Sequence, residues 1–173
     1  MEQIVRAIPP DYETIRAMLE ALKRRFPQAK LHSCGRSLAG RSLYMLAIGP
    51  MESPVLYAGG FHGQEWLTPL LLLRFFERTA AALWEGAEIS SIPVRDALRG
   101  RGIAILPCVN PDGVQIALHG AQGAGAFQAQ VSQISQGDFS RWNANARGVD
   151  INHNFPAGWE TLHEMERQAG ITG

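Results

Sequence analysis

The chain has 173 residues, enough for one domain with a sizeable core, and 46% of them are hydrophobic against 18% charged, which excludes a disordered segment. Lysine and arginine number 16, as do aspartate and glutamate, so no basic field points to nucleic acid or to an acidic membrane surface. The longest apolar stretch, Leu67 to Leu73, is far too short to span a bilayer. The first residues show no basic stretch followed by an apolar run, so no signal peptide is expected and the expected location is cytoplasmic. The two cysteines, Cys34 and Cys108, build no disulfide framework, and Cys108 sits in an apolar strand pattern that predicts a free buried thiol.

Asp11 follows Pro9 and Pro10 and is placed to cap a helix. In that helix Tyr12, Ile15, Met18, Leu19, Leu22 and Phe26 recur at helical spacing, and Pro27 closes it. Residues 31–33 and 42–48 read as strands, joined by the turn-rich CGRSLAGR into a hairpin. Residues 54–58 form a short apolar run that predicts a buried central strand, broken by Gly59-Gly60. A helix over 66–84 follows, ended by Gly86, and 94–98 predict one more helical turn. Residues 102–109 are a second buried-strand candidate, and Asn110-Pro111-Asp112-Gly113 after it reads as a turn. Residues 120–141, rich in Gly, Gln, Ala and Ser, read as a long loop; 149–152 read as a short strand and 159–168 as a helix. Strands alternating with helices predict an α/β fold with mixed strand directions.

The segment with chemistry is Gly60-Phe61-His62-Gly63-Gln64-Glu65-Trp66, between a buried strand and a helix. Ligand sites in open α/β sheets gather at that edge. A neutral imidazole and a carboxylate are zinc ligands, and three residues of separation across a tight loop let both side chains face one point. Gly59, Gly60 and Gly63 permit the sharp turn. The pair also reads as a chance spacing, with the glutamate serving the helix dipole. Asp150, in Gly148-Val149-Asp150-Ile151-Asn152-His153, is a candidate to hold the other ring nitrogen of a metal-bound histidine; it reads equally as a turn cap or as a partner of Arg147.

With two further segments, these resemble the M14 zinc carboxypeptidases. Gly35 to Arg41 resembles that family's G-x-S-x-x-G-R turn, and Gly60 to Thr68 its zinc segment. Asn110 to Gly113 matches N-P-D-G, and Gly148 to Asn152 matches G-V-D-x-N, all in the family's order. The resemblance implies a partial three-layer α/β/α sandwich around a mixed sheet, with 55–58 and 103–109 as inner strands. It implies a zinc-dependent peptidase in which His62 and Glu65 bind Zn2+ and Asp150 hydrogen-bonds His62. Asn152 and the position of His153 would face the substrate's carboxylate. Asn143 stands where carboxypeptidases place an arginine that polarises the scissile carbonyl.

This chain departs from the pattern at His153, where the family has arginine, and at Asn143, where it has a basic residue. Neither replaces a guanidinium fork well, which weakens the case for strict removal of C-terminal residues. The segments 142–150 and 155–160 are similar to bacterial M14 members that act on γ-D-glutamyl–diamino acid bonds of cell-wall peptides. The family's third zinc ligand and its general-base glutamate follow the G-V-D-x-N segment at a distance this chain does not reach. The expectation is therefore one truncated peptidase domain over 1–173, inactive alone, with an uncovered sheet edge able to self-associate. Two rivals carry forward: an M14-like deacylase of N-acyl amino acids, and a non-catalytic module that holds peptides without cleaving them.

Overall fold

A computed structural model describes residues 3–171 of the chain. The sequence reading of 169–173 as a loop-like tail falls partly on Thr172 and Gly173, which lie outside the described residues.

Helix α1 (Tyr12–Arg25) starts where expected, because the Asp11 carboxylate accepts a hydrogen bond from the Thr14 amide at 2.8 Å. Its apolar stripe, Ile15, Met18, Leu19 and Leu22, is buried. Strands β1 (Lys30–Arg36) and β2 (Ser42–Ile48) form the expected antiparallel hairpin, with a register irregularity between Ser33 and Gly35. Strand β3 (Val55–Ala58) leads through residues 59–66 into α2 (Leu67–Glu85), which ends at Gly86 in the left-handed region, φ 69°. After the short helix α3 (Val94–Ala97) and strand β6 (Ile103–Leu106) come α4 (Pro111–His119), a 3-10 segment (Gly120–Phe127), α5 (Gln128–Ser135) and α6 (Trp159–Gln168).

The four-stranded sheet runs β1-β2-β6-β3. The β1/β2 and β2/β6 pairs are antiparallel and β3/β6 is parallel, so the sheet is mixed as expected. Leu46 and Ile48 of β2 and Ile103 and Ile105 of β6 pack into one core with Leu19 and Leu22 of α1 and Leu73, Phe76 and Ala80 of α2. Leu22, Leu46, Leu73, Phe76 and Ile105 are fully buried, and each large side chain contributes about 1.5–3 kcal/mol. A smaller core joins Ile116 of α4, Ala124, Val131 of α5, Trp142 and Ala146.

Four sequence expectations change, and one element was not anticipated. Residues 55–58 are not central: β3 is the sheet's edge strand, with Leu56 56% exposed. Its apolar composition reflects Tyr57 packing edge-on against Phe75 of α2 rather than burial on both faces. Asn110 to Gly113 is not a free turn but the cap and first turn of α4: Asn110 Oδ1 accepts from Gly113 N at 2.9 Å, and Pro111 occupies the start of the helix. Residues 120–141 are not one loop, since a 3-10 segment and α5 occupy 120–135. Their anchors, Ala124 and Val131, are small, so the apolar stripe was thin against the Gly and Gln background. Residues 149–152 form no strand, because Asp150 turns the chain there by accepting from the Asn152 amide at 2.9 Å. Finally, the hairpin of β4 (Glu88–Ile89) and β5 (Ile92–Pro93) was missed; its turn is Ser90-Ser91, both at positive φ, where Asn or Gly is the usual signal.

Candidate metal centre

The loop 59–66 is held by backbone pairing and by one hydroxyl. Val109 N donates to Gly59 O at 2.9 Å and Asn110 N to Gly60 O at 2.8 Å, so the strand pairing continues past the ends of β3 and β6. Gly60 has φ +63°, and a Cβ there would lie 3.0 Å from the Cys108 backbone. The Thr68 hydroxyl accepts from Gly60 N at 2.9 Å and donates to Glu65 O at 3.0 Å, which closes the loop onto the first turn of α2. Gly63 is glycine for a different reason than turning: a Cβ would sit 2.3 Å from the Gly113 carbonyl oxygen and 2.6 Å from that of Trp142.

That loop sets His62 between two carboxylates. His62 Nδ1 lies 3.0 Å from Glu65 Oε1. His62 Nε2 lies 3.4 Å from Asp150 Oδ1, too poorly aligned for a hydrogen bond, and so stays buried without one. The Asp150 oxygen is itself held by the amides of Asn152, at 2.9 Å, and His153, at 3.4 Å. Asp150 thus does two of the three things its sequence position allowed, turning the chain and flanking the imidazole. The Glu65 hydrogen bond raises the His62 pKa above its ordinary value, burial opposes the rise, and the charges of Glu65 and Asp150 add to it.

Zinc fits this arrangement as a two-donor fragment of a site. Nitrogen and carboxylate donors each about 2.05 Å from a tetrahedral zinc stand about 3.3 Å apart. The observed 3.0 Å is close to that, so a cation could take the place of the hydrogen bond between Nδ1 and Oε1. Asp150 then faces the nitrogen that a metal leaves free, the place where ligating histidines meet a carboxylate. Among the described residues, no group of three or more His, Cys, Asp or Glu side chains converges on one metal position.

The other sequence candidates lie around this core. Asn143 is half-buried; its backbone oxygen accepts from Gly63 N at 3.1 Å, and its side-chain Oδ1 is buried without a partner. Asn152 is exposed and meets Asp150 through its backbone. His153 is exposed, with Nδ1 3.7 Å from Asp150 Oδ2 and 4.0 Å from Glu166 of α6. A groove of about 720 Å³ lined by Ile8, Met18 and Arg24 lies on α1, away from His62.

Two residues that sequence reasoning passed over hold the region together. Asp112, fully buried, accepts from Ser37 Oγ at 2.7 Å, Ala39 N at 2.9 Å and Arg41 Nη1 at 2.7 Å. Arg41 also donates to Gly123 O at 2.8 Å. The G-R-S-L-A-G-R and N-P-D-G segments are therefore one ion-paired knot, and the opposite charges at Arg41 and Asp112 were the available signal. Asn110 is the second such residue: its Nδ2 lies 2.9 Å from Phe61 O, 3.1 Å from Ala144 O and 3.3 Å from Asn143 O.

The fold is that of zinc carboxypeptidases. The crystal structure of thrombin-activatable fibrinolysis inhibitor superposes with a TM-score of 0.63 at 19% identity, over 84% of this chain and 34% of that one. A metallo-carboxypeptidase from Burkholderia cenocepacia superposes with a TM-score of 0.56 at 19% identity, over 90% of this chain and 37% of that one. The sequence profile of Peptidase M14, zinc carboxypeptidase, matches residues 15–170, and the chain belongs to that family. Among its relatives, the rat carboxypeptidase N catalytic chain is 34% identical over 134 residues, 73% of this chain and 26% of its own length. The gamma-D-glutamyl-L-diamino acid endopeptidase 1 of Lysinibacillus sphaericus is 28% identical over 153 residues, 87% of this chain and 38% of its own length. The chain thus spans between about a quarter and two fifths of the length of these curated relatives. No described helix is long and apolar enough to cross a membrane.

Proposed function

We propose that this chain supplies the His62–Glu65 metal pair and part of the substrate floor of a zinc-dependent peptidase. The observation that carries the reading is the imidazole of His62 set between Glu65 and Asp150 at the carboxyl end of β3. Zinc, when bound, supplies a Lewis acid for the scissile carbonyl and a water acidified toward neutral pH. Glu65 contributes an anionic oxygen donor. Asp150, 3.4 Å from His62 Nε2, is placed to take up the proton of that nitrogen once a cation occupies the Nδ1 lone pair. Asn143 and His153 offer neutral or weakly basic donors where carboxypeptidases carry arginine, so a free terminal carboxylate is held less firmly. Together with likeness to the γ-D-glutamyl–diamino acid endopeptidase over most of this chain, that supports a cell-wall peptide as substrate.

Catalytic zinc uses three protein ligands. The described residues bring two together. Residues 1–173 by themselves are therefore expected to hold zinc weakly and to turn over no peptide. The open edge of β3, where Leu56 and Tyr57 are 56% and 39% exposed, supports self-association of the chain through that strand.

The test is a zinc titration of the 173-residue chain beside His62→Ala and Glu65→Ala, followed by zinc-supplemented assays on C-terminal amino acids, γ-D-glutamyl–diamino acid peptides and N-acyl amino acids. Weak binding abolished by either substitution supports the pair. Tight binding unchanged by His62→Ala would sink it, and Glu65-dependent turnover by the chain alone would overturn the inactive reading.

A further inference from the structure

The side chain of Asn110 is 2% exposed and its two ends face opposite kinds of partner. Its oxygen accepts from Gly113 N at 2.9 Å and so caps α4. Its nitrogen faces three carbonyls on two separate segments, Phe61 at 2.9 Å, Ala144 at 3.1 Å and Asn143 at 3.3 Å. Two amide hydrogens serve these three acceptors, and the reverse orientation would set an oxygen against three oxygens, so the surroundings dictate which way the amide lies. Gly63 N donates to the same Asn143 carbonyl at 3.1 Å. The packing is at backbone distance throughout: a Cβ on Gly113 would lie 2.3 Å from Asn110 Nδ2.

What this amide joins is the two halves of the candidate centre. Phe61 immediately precedes His62. Ala144 precedes Asn145, whose side chain accepts from Arg147 N at 2.8 Å and Val149 N at 3.2 Å and so shapes the turn that delivers Asp150. No regular strand pairing links residues 61–63 to 143–150; beside the Gly63–Asn143 backbone bond and the 3.4 Å His62–Asp150 contact itself, this side chain is what ties them. We propose that Asn110 is a positioning residue: its amide sets the approach of His62 to Asp150, independently of its capping of α4. The proposal rests on the metal reading of His62 and Glu65 only for its zinc readout.

Two substitutions separate the roles. Asn110→Ser keeps a capping oxygen and removes the amide. Asn110→Asp keeps the cap and turns a carboxylate oxygen toward the three carbonyls. Asp11→Ala, which uncaps α1 at a distance from the centre, controls for lost stability. The measurements are hydrogen exchange at the Gly63 and Val114 amides and the zinc affinity of each chain. In both Asn110 variants, Gly63 exchange should accelerate at least tenfold relative to Val114. Zinc affinity should fall by about 10- to 100-fold, as when partners behind metal ligands are removed, and more for Asn110→Asp than for Asn110→Ser. Asp11→Ala should leave both readouts within twofold. Unchanged Gly63 exchange in Asn110→Ser, or an equal zinc loss in Asp11→Ala, would overturn the assignment. If Asn110→Asp does not fold, Asn110→Ser alone decides it. A wild-type chain that binds no zinc while Gly63 still responds would remove the metal reading and leave the positioning role standing.

Discussion

Replacing Gly63 by alanine tests whether the metal loop is held by close backbone contact. The added Cβ would meet the Gly113 carbonyl oxygen at 2.3 Å, its carbon at 2.6 Å and the Trp142 oxygen at 2.6 Å. Ordinary contact begins near 3.4 Å, so the loop must retreat by about 1 Å from rigid backbone on both sides. That retreat strains the core by about 1–3 kcal/mol. It also breaks the Gly63–Asn143 hydrogen bond of 3.1 Å, a further loss of about 0.5–1.5 kcal/mol. The expected destabilisation is about 1.5–4.5 kcal/mol, which at a urea slope of about 2 kcal/mol/M lowers the unfolding midpoint by about 0.8–2.2 M. Gly100→Ala is the matched control, since a Cβ there meets nothing within 4 Å and its φ is not in the left-handed range; it should be neutral or slightly stabilising. Urea unfolding of the two variants, followed by circular dichroism, decides the matter. A Gly63→Ala midpoint within about 0.3 M of wild type would refute the close-approach reasoning.

Asp112→Ala leaves Arg41, whose side chain is 18% exposed, without its carboxylate and should destabilise by about 3–5 kcal/mol; denaturant titration against Arg41→Ala and the double variant measures the coupling. The hydrogen bond from Thr14 holds the Asp11 carboxyl below its ordinary value of 3.8, so its contribution is complete above that pH and fades as pH falls through the lower folded value. Asp11→Asn should keep the cap while flattening this acid limb of the stability profile, whereas Asp11→Ala should cost about 1 kcal/mol at neutral pH. Leu56→Lys puts a charge beside the open edge of β3 and should abolish concentration-dependent association in sedimentation velocity; a wild-type chain that stays monomeric throughout the concentration series would refute self-association through that edge.

Much was legible in the sequence because it was local. The helical spacing from Tyr12 to Phe26, the Asp11 cap, the hairpin strand Ser42–Ile48, the existence of a strand over Val55–Ala58 and the helix Trp159–Gln168 all follow from periodicity and capping that act within a few residues. His62 and Glu65 were visible for the same reason: three residues across one loop bring them to 3.0 Å without help from the rest of the chain.

What tertiary structure decided involves groups far apart in sequence. Whether β3 is central or an edge depends on which strands pair beside it, and among the described residues only β6 does. Asp150 could cap a turn or flank a histidine, and the fold makes it do both by bringing residue 150 to within 3.4 Å of His62 Nε2. The N-P-D-G segment read as a turn because its local chemistry is that of a turn. Its buried carboxylate and amide acquire their roles only when Ser37, Arg41, Phe61 and Ala144 arrive from other segments to meet them. Local propensity chooses the elements, but a buried polar side chain must find its partners wherever the folded chain provides them, and those partners carry no mark in its own neighbourhood.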